Sequence, residues 1–363
     1  TDEDFKAVEE AVYAFAANLE KVAPRRAADL LFDWSLHCEE RHFRKQAAMR
    51  GYEESKGIYA VLGDEGRVAQ IALNRGNILA SLSRFPEALE AYAQAEAVFR
   101  SLRDERSLAQ ISANCGIVFQ SLSHFPEALE AYVQAEAVFR RLGDERSLAL
   151  IALNRGLIFS SLSRFTEALD AYAQADVFYR KLGDEGEVAN IALYRGNVFF
   201  SLSRFAEALE AYENADAVFR KLGDESRRAN VAWSRGNVLS SLSRFPEALE
   251  AYAHAEAVYR KVGDEGRRAR IVLNRGIVFF SLSRYPEALA AYAQAEAVYR
   301  ELGNEAELAS VAWNRGNVFY ALSRFAEALA AYGQADAVYR SLGDEGSVAA
   351  IACRPDVQRR GNE

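Results

Sequence analysis

The segment Ser81 to Tyr92 reads SLSRFPEALEAY, and it returns every forty residues. The copies are SLSHFPEALEAY, SLSRFTEALDAY, SLSRFAEALEAY, SLSRFPEALEAY, SLSRYPEALAAY and ALSRFAEALAAY, with no slip of register. Seven units therefore span 63–342, and an eighth begins at Gly343. Length alone, 363 residues, would suggest two or three globular domains. A fixed period overrides that expectation, because an array grows by stacking like modules that bury their apolar faces on each other.

Each unit carries two helical patterns. In the first copy, helix A is expected over about 65–82 and helix B over about 85–102. Ile71, Ile78 and Leu82 form one apolar stripe, and Leu89, Tyr92, Ala95 and Phe99 form the other. Pro86 suits the first turn of helix B, where its missing N–H has no helical partner to lose. The recurrent Leu-Gly-Asp-Glu ends one helix with a glycine stop and opens the next with an Asp cap. Gly76 and its copies Gly116, Gly156, Gly196, Gly236, Gly276 and Gly316 fall in mid-helix A. A helical glycine costs ~1 kcal/mol against alanine, so its recurrence requires a packing reason. Ala88, Ala95 and Tyr92, with their copies, supply the facing surface.

Gly76, Ala88, Tyr92 and Ala95 at this spacing resemble the tetratricopeptide repeat, over about four fifths of the chain. The usual unit has about 34 residues. This longer unit is similar to those of kinesin light chains, of polarity adaptors, and of bacterial regulatory proteins with caspase-like protease domains. One departure is systematic: Arg75, Arg155, Arg195, Arg235, Arg275 and Arg315 stand where the family usually has leucine. The resemblance implies an all-α, right-handed superhelical solenoid of antiparallel helix pairs, with a concave groove lined mainly by helix A. It leaves the ligand unnamed.

Residues 1–62 leave the pattern gradually. Tyr52 and Tyr59 still align with Tyr92 and Phe99, but Leu36 takes the glycine slot. Residues 1–62 are expected to form N-terminal capping helices and a degenerate repeat, and 343–363 a partial repeat and charged tail. The ragged end, interrupted at Arg354-Pro355, points to an array that belongs to a longer protein or complex.

Half the residues are apolar, which excludes a disordered chain, and the formal charge is −8. A nucleic-acid partner needs a basic face, so none is expected. No apolar run approaches the ~20 residues of a membrane span, so no membrane partner is expected either. The three scattered cysteines, Cys38, Cys115 and Cys353, suit a reducing cytoplasm.

No catalytic set emerges, and the chain is expected not to be an enzyme and to use no cofactor. His37, Cys38, Glu39, Glu40 and His42 cluster, but the two histidines lie about 140° apart on a helix and do not chelate together. That cluster reads as a partly buried helix rather than a metal site. Cys115, His124 and His254 replace an arginine, an arginine and a glutamine of the other copies, as drift would. The Leu-Gly-Asp-Glu turns end in acids, the wrong sign for a phosphate loop.

The expected binding surface lies on helix A, opposite the apolar stripe. Asparagine forms helices poorly because its amide competes for backbone bonds. Yet it recurs there at Asn74, Asn114, Asn154, Asn274 and Asn314, and at Asn77, Asn197, Asn237 and Asn317. A ladder of amides suits the backbone of an extended protein or peptide ligand. Toward the C-terminal half the same arc gains Tyr194, Phe200, Trp233, Phe280, Trp313 and Tyr320. Exposed aromatics are costly and are enriched at binding hot spots.

Two further readings stay open: a sensing or regulatory arm of a larger bacterial enzyme, such as a caspase-like protease or signalling ATPase, and a self-assembling array. Finally, the arginine row lies on the apolar stripe of helix A. An acidic row, Glu96, Glu136, Asp176, Asp216, Glu256, Glu296 and Asp336, lies on that of helix B. Buried ion pairs between the two rows are expected.

Overall fold

The structure, a computed structural model, describes residues 2–40, 44–346 and 348. Among these residues it is all helix, with seventeen segments: α1 (Asp2–Glu20), α2 (Pro24–Glu40), α3 (Lys45–Val61), α4 (Glu65–Ser81), α5 (Phe85–Leu102), α6 (Glu105–Ser121), α7 (Phe125–Leu142), α8 (Glu145–Ser161), α9 (Phe165–Lys181), α10 (Glu185–Ser201), α11 (Phe205–Leu222), α12 (Glu225–Ser241), α13 (Phe245–Val262), α14 (Glu265–Ser281), α15 (Tyr285–Glu301), α16 (Glu305–Ala321) and α17 (Phe325–Leu342). The chain divides into two compact units, 1–182 and 183–363. The first holds α1 to α9 and the second α10 to α17. None of the described helices is long and apolar enough to cross a membrane.

Helix ends follow the turn chemistry of the repeat. Asp104 caps α6, its carboxylate accepting from the Ser107 amide at 3.1 Å and from Ser107 Oγ at 2.7 Å. Asn304, the one replacement of this aspartate among the caps of the A helices α4, α6, α8, α10, α12, α14 and α16, accepts from the Glu307 amide at 3.2 Å. Gly143 and its copies close helix B with positive φ, 65° at Gly143. At the other turn the left-handed position is held by serine, with φ 59° at Ser83 and 58–61° in its copies. There the Arg84 amide donates to the Leu79 carbonyl and the Ser83 amide to that of Ala80, which satisfies two carbonyls of the helix end.

The mid-helix glycines have one packing reason, repeated in every hairpin. A Cβ added to Gly236 would lie 2.5 Å from Tyr252 Cε1, and one added to Gly116 would lie 2.5 Å from Tyr132 Cε1. The tyrosine ring fills the space a side chain would take on helix A, so the position has no room for a Cβ. In the α2–α3 hairpin the close-packed glycine stands on the other helix. Leu36, in the aligned glycine slot, is 37% exposed, while Gly51 on α3 is the residue whose added Cβ would strike the Ser35 side chain.

Stacking of one hairpin on the next buries a second set of rows. Tyr92 and Phe99 of α5 enclose Ile111 and Val118 of α6. Tyr252 and Tyr259 of α13 enclose Ile271 and Val278 of α14 in the same way. The arginine row sits between those two apolar rows and reaches back to the acid between the two aromatics. Arg155 bonds Glu136 at 2.7 Å and Arg315 bonds Glu296 at 2.7 Å, and Arg275 bonds the buried Glu256.

The expectation of buried pairs is corrected in two ways. The arginines are half-buried, the Arg155 side chain being 25% exposed and that of Arg315 32%, because the long stem packs while the guanidinium reaches the surface. Partners also change: Arg75 takes Glu53 at 3.0 Å. Asp216 is held by Arg228 at 3.1 Å and by Arg220, and among the described residues Arg235 has no ion pair.

Candidate functional site

The face of helix A turned away from the stacking rows carries the amides and aromatics singled out by sequence. In each unit this face opens a cleft between neighbouring A helices. In the first unit, α6 and α8 border a cleft of about 280 Å³, whose lining includes Gln110, Asn114, Ile117, Leu150 and Asn154. In the second unit, α10, α12 and α14 border a more open cleft of about 530 Å³. Phe200, Trp233, Asn237 and Asn274, four of the expected residues, meet there with Arg270 and Ile277.

Packing fixes how the amides in this face are turned. The Tyr252 hydroxyl donates to Asn237 Oδ1 at 2.8 Å, and Asn274 Nδ2 of the next hairpin donates to the same oxygen at 2.9 Å. The arrangement recurs in the first unit, where Tyr92 and Asn114 both donate to Asn77 Oδ1, at 2.9 and 2.7 Å. One carbonyl thus receives two donors. The amide nitrogen of Asn237 and the carbonyl oxygen of Asn274 stay without a partner among the described residues, on the side of the cleft. Tyr212 donates to Asn197 at 2.8 Å and Tyr332 to Asn317 at 2.9 Å, so the amide row and the tyrosine row form one system. Burial pushes the hydroxyls of Tyr92, Tyr212 and Tyr252 well above the usual phenol range, which keeps them protonated donors.

The remaining expected residues lie elsewhere on this face. Asn74 is 8% exposed. Its amide donates to the Tyr52 hydroxyl at 3.1 Å and its carbonyl accepts from Gln70 at 3.1 Å. Asn154 borders the first cleft and interacts with the Tyr132 hydroxyl. Asn314 Nδ2 donates to the Ser310 carbonyl of its own helix at 2.8 Å. Trp313 packs on Tyr332 with ring centroids 5.1 Å apart. Phe280 and Tyr320, like Phe200 of the second-unit cleft, each lean on the first ring of their own helix B, the three partners being Tyr285, Phe325 and Phe205, at 5.7–6.0 Å. Tyr194 is half-buried, its hydroxyl raised by burial with Glu187 adding to the shift.

Cleft residues that the sequence reading passed over are Ser240, Ser241, Tyr252 and Ile277. Two of these positions carried a signal, since Ile277 departs from the Asn of Asn237 and Asn317 and the Ser240 position varies between Ala80, Gln120, Phe200 and Tyr320, whereas Tyr252 and Ser241 recur and gave none. Of the cysteines, Cys38 is buried, and burial pushes the Cys115 thiol up to about 11, with Glu96 adding to the shift. His42, and the tail at 347 and 349–363, lie outside the described residues. Among the described residues, no group of three or more His, Cys, Asp or Glu side chains is placed to hold a metal ion.

Comparison with known proteins follows the repeat. The family model described as tetratricopeptide repeat matches residues 67–141, 187–261 and 267–341, and a second model of that description matches 228–301. No curated protein matches the sequence. Among solved structures, the apo quorum sensor NprR from B. thuringiensis superimposes with TM-score 0.65 at 15% identity, over 93% of this chain and 99% of that one. A Rap conjugation gene regulator of plasmid pLS20, in complex with the Phr* peptide, gives 0.57 at 12% identity, over 88% and 96%. A Signal Transduction ATPase with Numerous Domains bearing a tetratricopeptide repeat sensor, from Pyrococcus horikoshii, gives 0.68 at 12% identity, over 94% of this chain and 55% of that one. At such identities these likenesses concern the fold.

Proposed function

The chain belongs to the tetratricopeptide repeat family, and from that premise we propose that it is a non-catalytic scaffold whose helix-A face holds a segment of another protein or a peptide. One observation carries the reading. In the second unit Trp233, Phe200, Asn237 and Asn274 converge on a single open cleft. There the tyrosine–asparagine pairing leaves an N–H donor and a carbonyl acceptor unspent. A peptide group has the complementary pair, so an extended backbone fits whatever its side chains. The peptide in the Rap complex supports the same kind of ligand for this fold. On this reading Trp233 and Trp313 are the anchors, two repeats apart within the second unit.

Replacing both tryptophans by alanine tests it. Hot-spot truncations cost ~2 kcal/mol or more each, so peptide affinity is expected to fall at least about 30-fold per residue while helix content by circular dichroism stays unchanged. Equal affinity of the double variant for a bound peptide sinks the assignment of the face. A second reading, the sensing arm of a larger enzyme, draws on the likeness to the sensor-bearing ATPase. The intact mass of the native protein distinguishes it: near 40.3 kDa for this chain alone, much larger for an arm.

A further inference from the structure

Arg270 is the charged member of the second-unit cleft. Its repeat position is Gln70, Gln110, Leu150, Asn190, Asn230 and Ser310 in the other units, so this cation belongs to one copy alone. The guanidinium lies over the Trp233 ring, 5.6 Å from its centroid. Its charged neighbour is Glu307, 3.5 Å from Nε, and the Arg270 side chain remains 57% exposed. The pair is loose and the arginine side of it stands largely in solvent, so it leaves the cation available.

Besides Glu307, the cleft offers Arg270 the side-chain carbonyl oxygen of Asn274, four residues along α14, and no side-chain hydrogen bond joins the two among the described residues. Asn237 offers the open side of its amide as N–H, because its oxygen is already shared by Tyr252 and Asn274. Trp233 Nε1 and the Tyr299 hydroxyl are both buried without hydrogen-bond partners. Arg270 and Glu307 both act electrostatically on that hydroxyl. Phe200 and Ile277 add apolar surface to the cleft, which Ser240 and Ser241 also border.

We propose that the Arg270–Trp233 cleft is a side-chain specificity site, taking an Asp or Glu of the bound segment beside an apolar residue. The proposal rests on the helix-A face being the binding surface. A carboxylate matches the planar fork of the guanidinium in two parallel bonds. The cation–π contact with Trp233 restrains the guanidinium, which then loses less freedom on binding than an unsupported arginine. A phosphate dianion fits less well, since the cleft supplies one cation and Glu307 stands beside it. One charge pair also keeps the salt dependence of binding shallow, unlike that of a phosphate-tracking surface.

The test is panning of a random twelve-residue peptide library displayed on phage against the whole chain. The Arg270→Ala, Arg270→Gln and Arg270→Glu variants and the Trp233→Ala/Trp313→Ala double variant are panned in parallel. Circular dichroism confirms the fold of each, and the neutral Arg270→Gln keeps the test alive should Arg270→Glu misfold. Peptides enriched on the wild type are expected to carry Asp or Glu at a fixed spacing from a large apolar residue. The best of them should bind Arg270→Ala and Arg270→Gln about tenfold more weakly. On Arg270→Glu the enriched position should turn to Lys or Arg. Enriched peptides with no acidic preference, or a preference unaltered in Arg270→Glu, overturn the proposal and leave the groove reading standing. No enrichment on the wild type over the double variant overturns both.

Discussion

The clefts of the two units are built on the same frame and furnished differently. In both, a tyrosine of helix B lies against a bare glycine of helix A, Tyr132 on Gly116 and Tyr252 on Gly236. Where the second unit places Trp233 and Arg270, the first places Ala113 with Leu153, and Gln110 with Leu150. Where Phe200 and Phe280 stand, the first has Gln120 and Ser160. Copies agree where helices touch and diverge where they face the cleft. Packing tolerates few residue types at a close helix crossing, whereas a solvent-facing row is free to vary. In so regular an array, recurrence reports the scaffold, and the proposed ligand selection is read from the differences between copies.

The largest expected effect tests whether the frame is in fact shared. Gly116→Val and Gly236→Val each push a branched side chain into a packed ring. Both are expected to cost about 3 kcal/mol or more, read from urea unfolding midpoints. A large cost in one unit and none in the other would break the equivalence. A smaller effect should separate the stacking interfaces. Arg155→Ala removes a half-buried pair with Glu136 and is expected to cost about 2 kcal/mol. Arg235→Ala, with no ion pair to lose, is expected to cost ~1 kcal/mol or less through lost stem packing. A double-mutant cycle of Arg155 with Glu136 should recover a coupling of about 1 kcal/mol or more, and zero coupling would refute the pairing. The smallest effect is a gain. Arg103 holds φ 56° where most copies have glycine, so Arg103→Gly should raise stability by roughly 0.5–1 kcal/mol in a thermal melt.

Much of the scaffold was legible before any coordinates. The forty-residue period and the Asp and glycine caps marked each helix to within a residue or so. The need for close packing at Gly76 and its copies was plain as well, because a mid-helix glycine is otherwise a loss. The ion-pair rows were legible as rows. Which acid each arginine takes was not, since Arg228 intercepts Asp216 from a different turn of the helix. Side-chain reach in three dimensions decides such competitions.

The amides show the same division most sharply. Sequence placed Asn77, Asn197, Asn237 and Asn317 on the solvent-facing arc and read them as ligand contacts. The structure shows that each also accepts a tyrosine hydroxyl from its own hairpin, so their recurrence is explained in part by packing. A periodic pattern determines which face a residue occupies, because helix geometry is local. Only the folded chain decides which of an amide's donors and acceptors remain unspent, because their partners come from residues 15 to 37 positions away.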